Sequence, residues 1–414
     1  MAHAQDLLAQ PLTLPNGSHL PNRLAKSALS ETLGTMDNRV TGRLPRLYER
    51  WARGGTGLLI TGNVMVDRRA LGEPGNVVVE DERDLDQLKA WASAATRHGA
   101  AIWVQLNHPG KQSPRGLNKQ NISPSAIPFK ADMQAFFDTP REMTEAEIHE
   151  VIRRFAVAAG IIKKAGFTGV QIHGAHGYLV SQFLSPKHNV REDAWGGTAE
   201  KRRRFVLEVY RAIRAEVGPD FPVGIKLNSA DFQRGGFTED ESLEVIQALA
   251  DAGIDLIEIS GGTYEAPAMA GVKAKASTLA REAYFLEFAE KVRQRVPVPL
   301  MVTGGFRSLG AMDSALASGS LDLIGLGRPL CIEPDASRRL LDGQETRHRV
   351  RPIVTGIGMV DRMALMEVMW YARQMHRMAT GKEPKPDESP LWSLAATVVG
   401  NVRGTWQTRR LRAS

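Results

Sequence analysis

Three side chains close together in residues 169–186 carry groups that could act on a ligand: His173, His176 and Tyr178. Two imidazoles and a phenol can each donate a hydrogen bond. They follow a short β-branched run, Val170-Gln171-Ile172, which reads as a buried strand broken at Gly174 and Gly177. In a parallel α/β protein the turn after a strand is where ligands bind. The same residue types also serve as metal ligands or as satisfied core groups, so the surrounding chain has to decide.

What would position them is a repeat. Apolar strands are expected at residues 23–29, 57–64, 101–106, 170–172, 222–227, 256–259, 299–302 and 321–326. Helical patterns lie between them, at 43–53, 84–98, 144–165, 198–217, 238–252, 281–295 and 308–317. Thr144-Glu145-Ala146-Glu147 is a capping-box start, and Thr238 precedes acidic first-turn residues. Nearly all the strands are apolar throughout, as burial on both faces of a parallel sheet requires. The alternation predicts an α/β fold, a TIM (β/α)8 barrel of residues 1–350. A turn at 15–18 between extended pieces predicts an N-terminal hairpin closing the barrel floor. The polar insertion 107–141 would build a lid or pocket wall. Residues 351–414 do not continue the repeat. They predict a C-terminal helical extension with a Met-rich helix at 359–378 and a Pro-containing linker at 381–390.

Strand ends of such a barrel gather on one face. Strands seven and eight end in Gly304-Gly305 and Gly327-Arg328, whose free N–H groups and guanidinium would cradle a phosphate, unless the glycines serve only tight turns. Gln105 and Lys226 would face the body of the molecule carrying that phosphate. The lysine could stabilise negative charge developing on a ring, or merely snorkel at the rim. No carboxylate is expected among the strand ends, since Asp255 and Glu258 lie at or before strand six. A metal role for the histidine pair therefore lacks a third ligand, and no metal is expected.

Composition narrows the partners. The 414 residues carry 53 Lys and Arg against 46 Asp and Glu, a formal net charge of +7. The excess is mild and spread out, without a basic stripe interleaved with aromatics, so nucleic acid is not an expected partner. Small anionic molecules are. A single cysteine, Cys331, excludes disulfide frameworks and cysteine-ligated clusters and fits a reducing cytoplasm. Neither a signal-peptide pattern nor an apolar run of membrane-spanning length is present. Homo-oligomerisation is left open.

Several motifs in order now carry a resemblance. His-Gly-Ala-His-Gly-Tyr-Leu with Gln-Phe-Leu-Ser-Pro, the run 189–197, Arg202 to Phe205, the run 105–112, Val223-Gly224-Ile225-Lys226 and Gly325-Leu326-Gly327-Arg328 together resemble the Old Yellow Enzyme family of FMN-dependent ene-reductases. The resemblance covers residues 12–334. It implies FMN as cofactor and NAD(P)H as reductant, with ping-pong hydride transfer to the C=C bond of an α,β-unsaturated carbonyl. By that resemblance Ser27, Ala28, Leu29 and Ser30 would line the flavin, and Ser30 would stand near its N5. Asn63 and Gln105 would contact the isoalloxazine, and Lys226 its N1/O2 edge. Gly304, Gly305, Gly327 and Arg328 would hold the phosphate. His173 and His176 would bind the substrate's electron-withdrawing group, and Tyr178 would deliver the proton.

Two departures stand out. Ser30 replaces a frequent Thr or Cys, and Lys226 replaces a frequent Arg, which keeps the charge but loses the planar fork. With only Cys331 after the Gly-Arg motif no iron–sulfur cluster is expected, and on length the second nucleotide-binding region of larger relatives is not expected either. The rival readings are a flavin dehydrogenase or demethylase on the same barrel, and a non-catalytic scaffold. In the scaffold reading the basic C-terminal segment, with Arg403, Arg409, Arg410 and Arg412, would dock on a membrane or partner. A packing or dimer helix is preferred for that segment.

Overall fold

The computed structural model describes residues 4–263, 265–266, 282–356 and 365–395. Eight parallel strands close into a barrel: β1 (Leu24–Lys26), β2 (Leu58–Met65), β3 (Ala101–Asn107), β4 (Gly169–Gly174), β5 (Val223–Asn228), β6 (Leu256–Ser260), β7 (Leu300–Thr303) and β8 (Leu323–Leu326). Each pairs with its neighbour in sequence, and β8 pairs back onto β1. Outside lie α1 (Arg43–Arg53), α2 (Leu85–Thr96), α3 (Glu145–Lys164), α4 (Ala199–Val217), α5 (Glu239–Asp251), α6 (Leu286–Arg293), α7 (Leu309–Ala317) and α8 (Ala336–Leu341). This is the TIM barrel that the alternation predicts.

Local chemistry explains several boundaries. Thr144 and Thr238 each accept from the N–H three residues on while Glu147 and Glu241 reach back, closing a capping box at the start of α3 and of α5. Strand β1 is shorter than expected. The Ser27 N–H still donates to the Leu326 carbonyl (2.9 Å), but the chain then leaves the sheet toward Glu31. The helix expected at 281–295 narrows to Leu286–Arg293, and Arg281 lies outside the described residues.

Inside the barrel the layers differ. The lower layer is apolar: Ala25, Leu58, Ile60, Trp103, Leu256, Met301 and Leu323 pack together. Leu12, Leu14 and Leu20 of the N-terminal hairpin close it from below, as expected. Trp103 fits because its neighbours on β4 and β5 lack side chains. A Cβ on Gly169 or Gly224 would come within 2.5 and 2.8 Å of the indole. Above this plug the inward side chains turn polar.

The insertion 107–141 folds over the top, with residues 122–123 pairing to 141–142. Past the barrel, α9 (Leu365–Ala379) packs against α1 and the turn after β8. It covers most of the predicted Met-rich helix, and residues 359–364 lie outside the described residues, as do 396–414 with their arginines. Among the described residues no helix is long and apolar enough to cross a membrane.

Candidate active site

His173 is the last residue but one of strand β4, and the next turn carries His176 and Tyr178, so one short segment brings all three rings together. The two imidazoles are 5.2 Å apart and nearly perpendicular, and the phenol ring lies 4.7 Å from His173. His176 is forced into the left-handed region, φ 62°, which costs a non-glycine residue about 1–2 kcal/mol. Two partners hold it there. Its N–H donates to Asn228 Oδ1 (3.1 Å) and its Nε2 meets Ser260 Oγ (2.8 Å). Gly177 follows at φ 81°, where a Cβ would press on Gln112.

His173 is buried and His176 half-buried, and desolvation holds their pKa values well below the ordinary imidazole value; the Lys226 charge pushes in the same direction. They are therefore neutral near pH 7. His173 Nδ1 accepts from the Ala175 N–H (3.3 Å), which leaves Nε2 as its donor. Asn63 ties the wall to the phenol: its Nδ2 donates to Ser30 Oγ (3.1 Å) and to Tyr178 Oη (3.3 Å).

Ser27 is buried and meets Thr303 Oγ1 at 2.7 Å, while Ala28, Leu29 and Ser30 are half-buried along the cleft. That wall is braced from behind. The Glu31 carboxylate accepts from the Gly62 N–H (2.8 Å) and from Tyr48 Oη, with Lys26 Nζ at 3.8 Å. His376 of α9 donates to the Glu31 carbonyl (2.6 Å). Behind Ser30, burial raises the Glu73 carboxyl above its usual range.

Lys226 is 3% exposed and points into the barrel, which removes the snorkelling alternative. Its Nζ lies 2.9 Å from Glu258 Oε1. The expectation that no carboxylate belongs to this face is thus corrected. Glu258 lies in mid-strand, one layer beneath the strand ends, where the pleat turns it inward. The signal was there as the one charge in the apolar run 256–259. Gln105 is also inward, its Nε2 donating to Gln171 Oε1 (2.8 Å). Among the described residues no group of three His, Cys, Asp or Glu side chains is placed to hold a metal.

At the opposite end Gly304 and Gly305 adopt φ 113° and 99°, conformations that side chains disfavour. A Cβ on Gly305 would also meet the Ala283 N at 2.9 Å. Among the described residues no protein acceptor takes the N–H groups of Gly304, Gly305 or Gly327. Arg328 stands beside them, and its guanidinium Nη1 donates to Glu367 Oε2 of α9 at 2.6 Å. Glu367 escaped the sequence reading because it belongs to a helix far along the chain. Glu282 similarly accepts the N–H groups of Arg307 (2.6 Å) and Ser308 (3.0 Å).

A barrel with paired donors over one strand end and unsatisfied glycine N–H groups over another can hold an elongated anionic ligand between them. The sequence profile of the NADH:flavin oxidoreductase / NADH oxidase family matches residues 7–347. The chain belongs to this family. It is 41% identical over 349 residues to the NADH-dependent flavin oxidoreductase iccE of Talaromyces variabilis, covering 79% of this chain and 84% of that protein. Among solved structures, a 2-naphthoyl-CoA reductase complexed with 2-naphthoyl-CoA superposes with a TM-score of 0.75 at 28% identity, covering 82% of this chain and 53% of the other. Morphinone reductase in complex with tetrahydroNAD gives 0.68 at 26% identity, over 82% and 92%. The flavin oxidoreductase accordingly uses FMN with a nicotinamide reductant. Its residues fit that group: three N–H donors without protein acceptors beside a guanidinium suit a phosphate, and the inward lysine suits an electron-poor ring.

Proposed function

We propose that this flavin oxidoreductase reduces the C=C bond of alkenes conjugated to a carbonyl, with NAD(P)H and substrate using the same face in alternate half-reactions. The observation that carries the reading is the pair of neutral, perpendicular imidazoles beside the Tyr178 phenol. Bound FMN supplies the hydride acceptor and donor. Gly304, Gly305, Gly327 and Arg328 would hold its phosphate. Ser27, Ala28, Leu29, Ser30, Asn63 and Gln105 would border its ring, and Lys226 would face the pyrimidine edge.

The chain's own residues then do three things. His173 and His176 donate N–H bonds to the substrate carbonyl oxygen, and these bonds strengthen as negative charge builds there. Because both rings are neutral, they polarise that oxygen without surrendering a proton to it. Tyr178 gives its hydroxyl proton to the α-carbon, and Asn63 orients that hydroxyl. The test is anaerobic addition of NADPH to the FMN-loaded protein, followed by cyclohexenone. Bleaching of the flavin spectrum by NADPH and its return with the enone support the proposal. A flavin that bleaches and ignores enones overturns it.

A further inference from the structure

Just beneath the histidine face, polar side chains from five strands and from Ser27, just past β1, form one connected run. Gln105 donates to Gln171 Oε1 (2.8 Å), and Gln171 Nε2 donates to Glu258 Oε2 (2.7 Å). Lys226 Nζ lies 2.9 Å from Glu258 Oε1, Thr303 Oγ1 donates to the same oxygen (2.6 Å), and Ser27 Oγ joins Thr303 (2.7 Å). The centre of the run is Glu258. It is 0% exposed, and strands β4, β5 and β7 each supply it with a donor.

Burying an ion pair is a poor way to stabilise a fold, since desolvation of both charges offsets their attraction. The layer directly below fills the same barrel with apolar side chains, so packing alone does not demand a carboxylate here. Register places Lys226 between His173 on one side and Glu258 on the other. Glu258 is therefore poised to act on whatever Lys226 faces.

We propose that Glu258 is a positioning residue that fixes Lys226 and offsets its field at the flavin ring, keeping the reduction potential low. The inference rests on the reading that Lys226 borders the ring. A lone cation beside the pyrimidine edge stabilises the negative charge that the ring gains on reduction, which raises the potential. With a carboxylate 2.9 Å from that cation, the ring meets a dipole instead of a full charge. Reduced FMN is then a stronger hydride donor to the alkene.

The test is the midpoint potential of FMN-loaded protein, measured by equilibration with a reference dye. Glu258→Gln is expected to raise it by at least a tenfold change in the reduction equilibrium constant, about 30 mV for a two-electron couple. Lys226→Met is expected to lower it. Glu258→Asp keeps the charge but withdraws it by one methylene, so it should give a smaller rise and decides the matter if Glu258→Gln does not fold. An unchanged potential in the Glu258 variants, with a lowered one in Lys226→Met, overturns the inference and leaves the placement of Lys226 standing. No shift in Lys226→Met overturns that placement and the inference with it.

Discussion

The two ends of the candidate site are built differently. At the histidine end the groups sit on barrel strands or the turn after one, and neighbours in the barrel fix them: Asn228 and Ser260 hold His176, and Glu258 holds Lys226. At the glycine end the donors either lack protein acceptors or are held by acids from outside the strands, Glu367 and Glu282. The first end is preorganised, its dipoles set before any ligand arrives. The second has to exchange partners when an anion binds. One end is suited to chemistry and the other to reversible capture.

The two site histidines share with three others in the chain a thermodynamic burden that pH exposes. Burial, as the leading cause, lowers the pKa of His173, His176 and His376, takes His108 to about 4 and His188 to about 3. The unfolded chain therefore binds more protons than the native one below about pH 6.5. Stability is full above that value and is lost as pH falls toward the folded-state values, by about 1.4 kcal/mol per pH unit for each such histidine. Thermal melts between pH 7.5 and 5 should show a falling Tm. A flat Tm would mean that the rings protonate in place, and the neutral-donor picture would go with it.

Within that end, Tyr178→Phe separates proton delivery from everything else. Alkene reduction should slow by about 10²–10⁴, the usual contribution of a positioned proton donor, while flavin reduction by nicotinamide stays nearly intact. Stopped-flow traces of the two half-reactions check this. Equal loss in both would show that the phenol shapes the pocket and does not feed it a proton.

Much of the preorganised end was legible in the sequence because it is local. His173, His176 and Tyr178 follow a strand, and the interruptions at Gly174 and Gly177 say where the turn must be. The barrel was legible because eight apolar runs with helices between them have few other solutions. Glu258 showed only as the one charge in an apolar run, because strand-end logic looks at the last residue of a strand and misses the layer beneath, where the pleat and the closure of the barrel place it. Glu31 and Glu367 were hidden for a different reason. Their partners are Lys26, Tyr48 and His376 in one case and Arg328 in the other, and only tertiary packing of α1 and α9 brings these together.

At the capture end, Arg328→Ala should weaken FMN binding about tenfold or more, since a charge-assisted hydrogen bond to phosphate contributes about 1.5–3 kcal/mol. Fluorescence titration of the apoprotein with FMN measures this. An unchanged Kd would mean that the glycine N–H groups alone carry the phosphate and that Arg328 belongs to the α9 contact.

The smallest effect is the one that probes the exchange itself. Glu367 accepts one guanidinium N–H of Arg328 in a pair whose side chains are 20% and 24% exposed. The guanidinium keeps further N–H groups beyond the one that Glu367 accepts, so a phosphate can share Arg328 with it. A carboxylate beside a phosphate also repels it. Glu367→Gln removes the charge and keeps the shape, and it should tighten FMN binding about two- to fivefold while loosening the hold of α9 on the barrel. Titration at low and at high salt distinguishes the two contributions, because screening removes the repulsion and leaves the packing. Tighter binding that fades with salt identifies Glu367 as the anion that FMN must displace. Weaker binding would make Glu367 the residue that aims Arg328, and the glycine end would then be as preorganised as the histidine end.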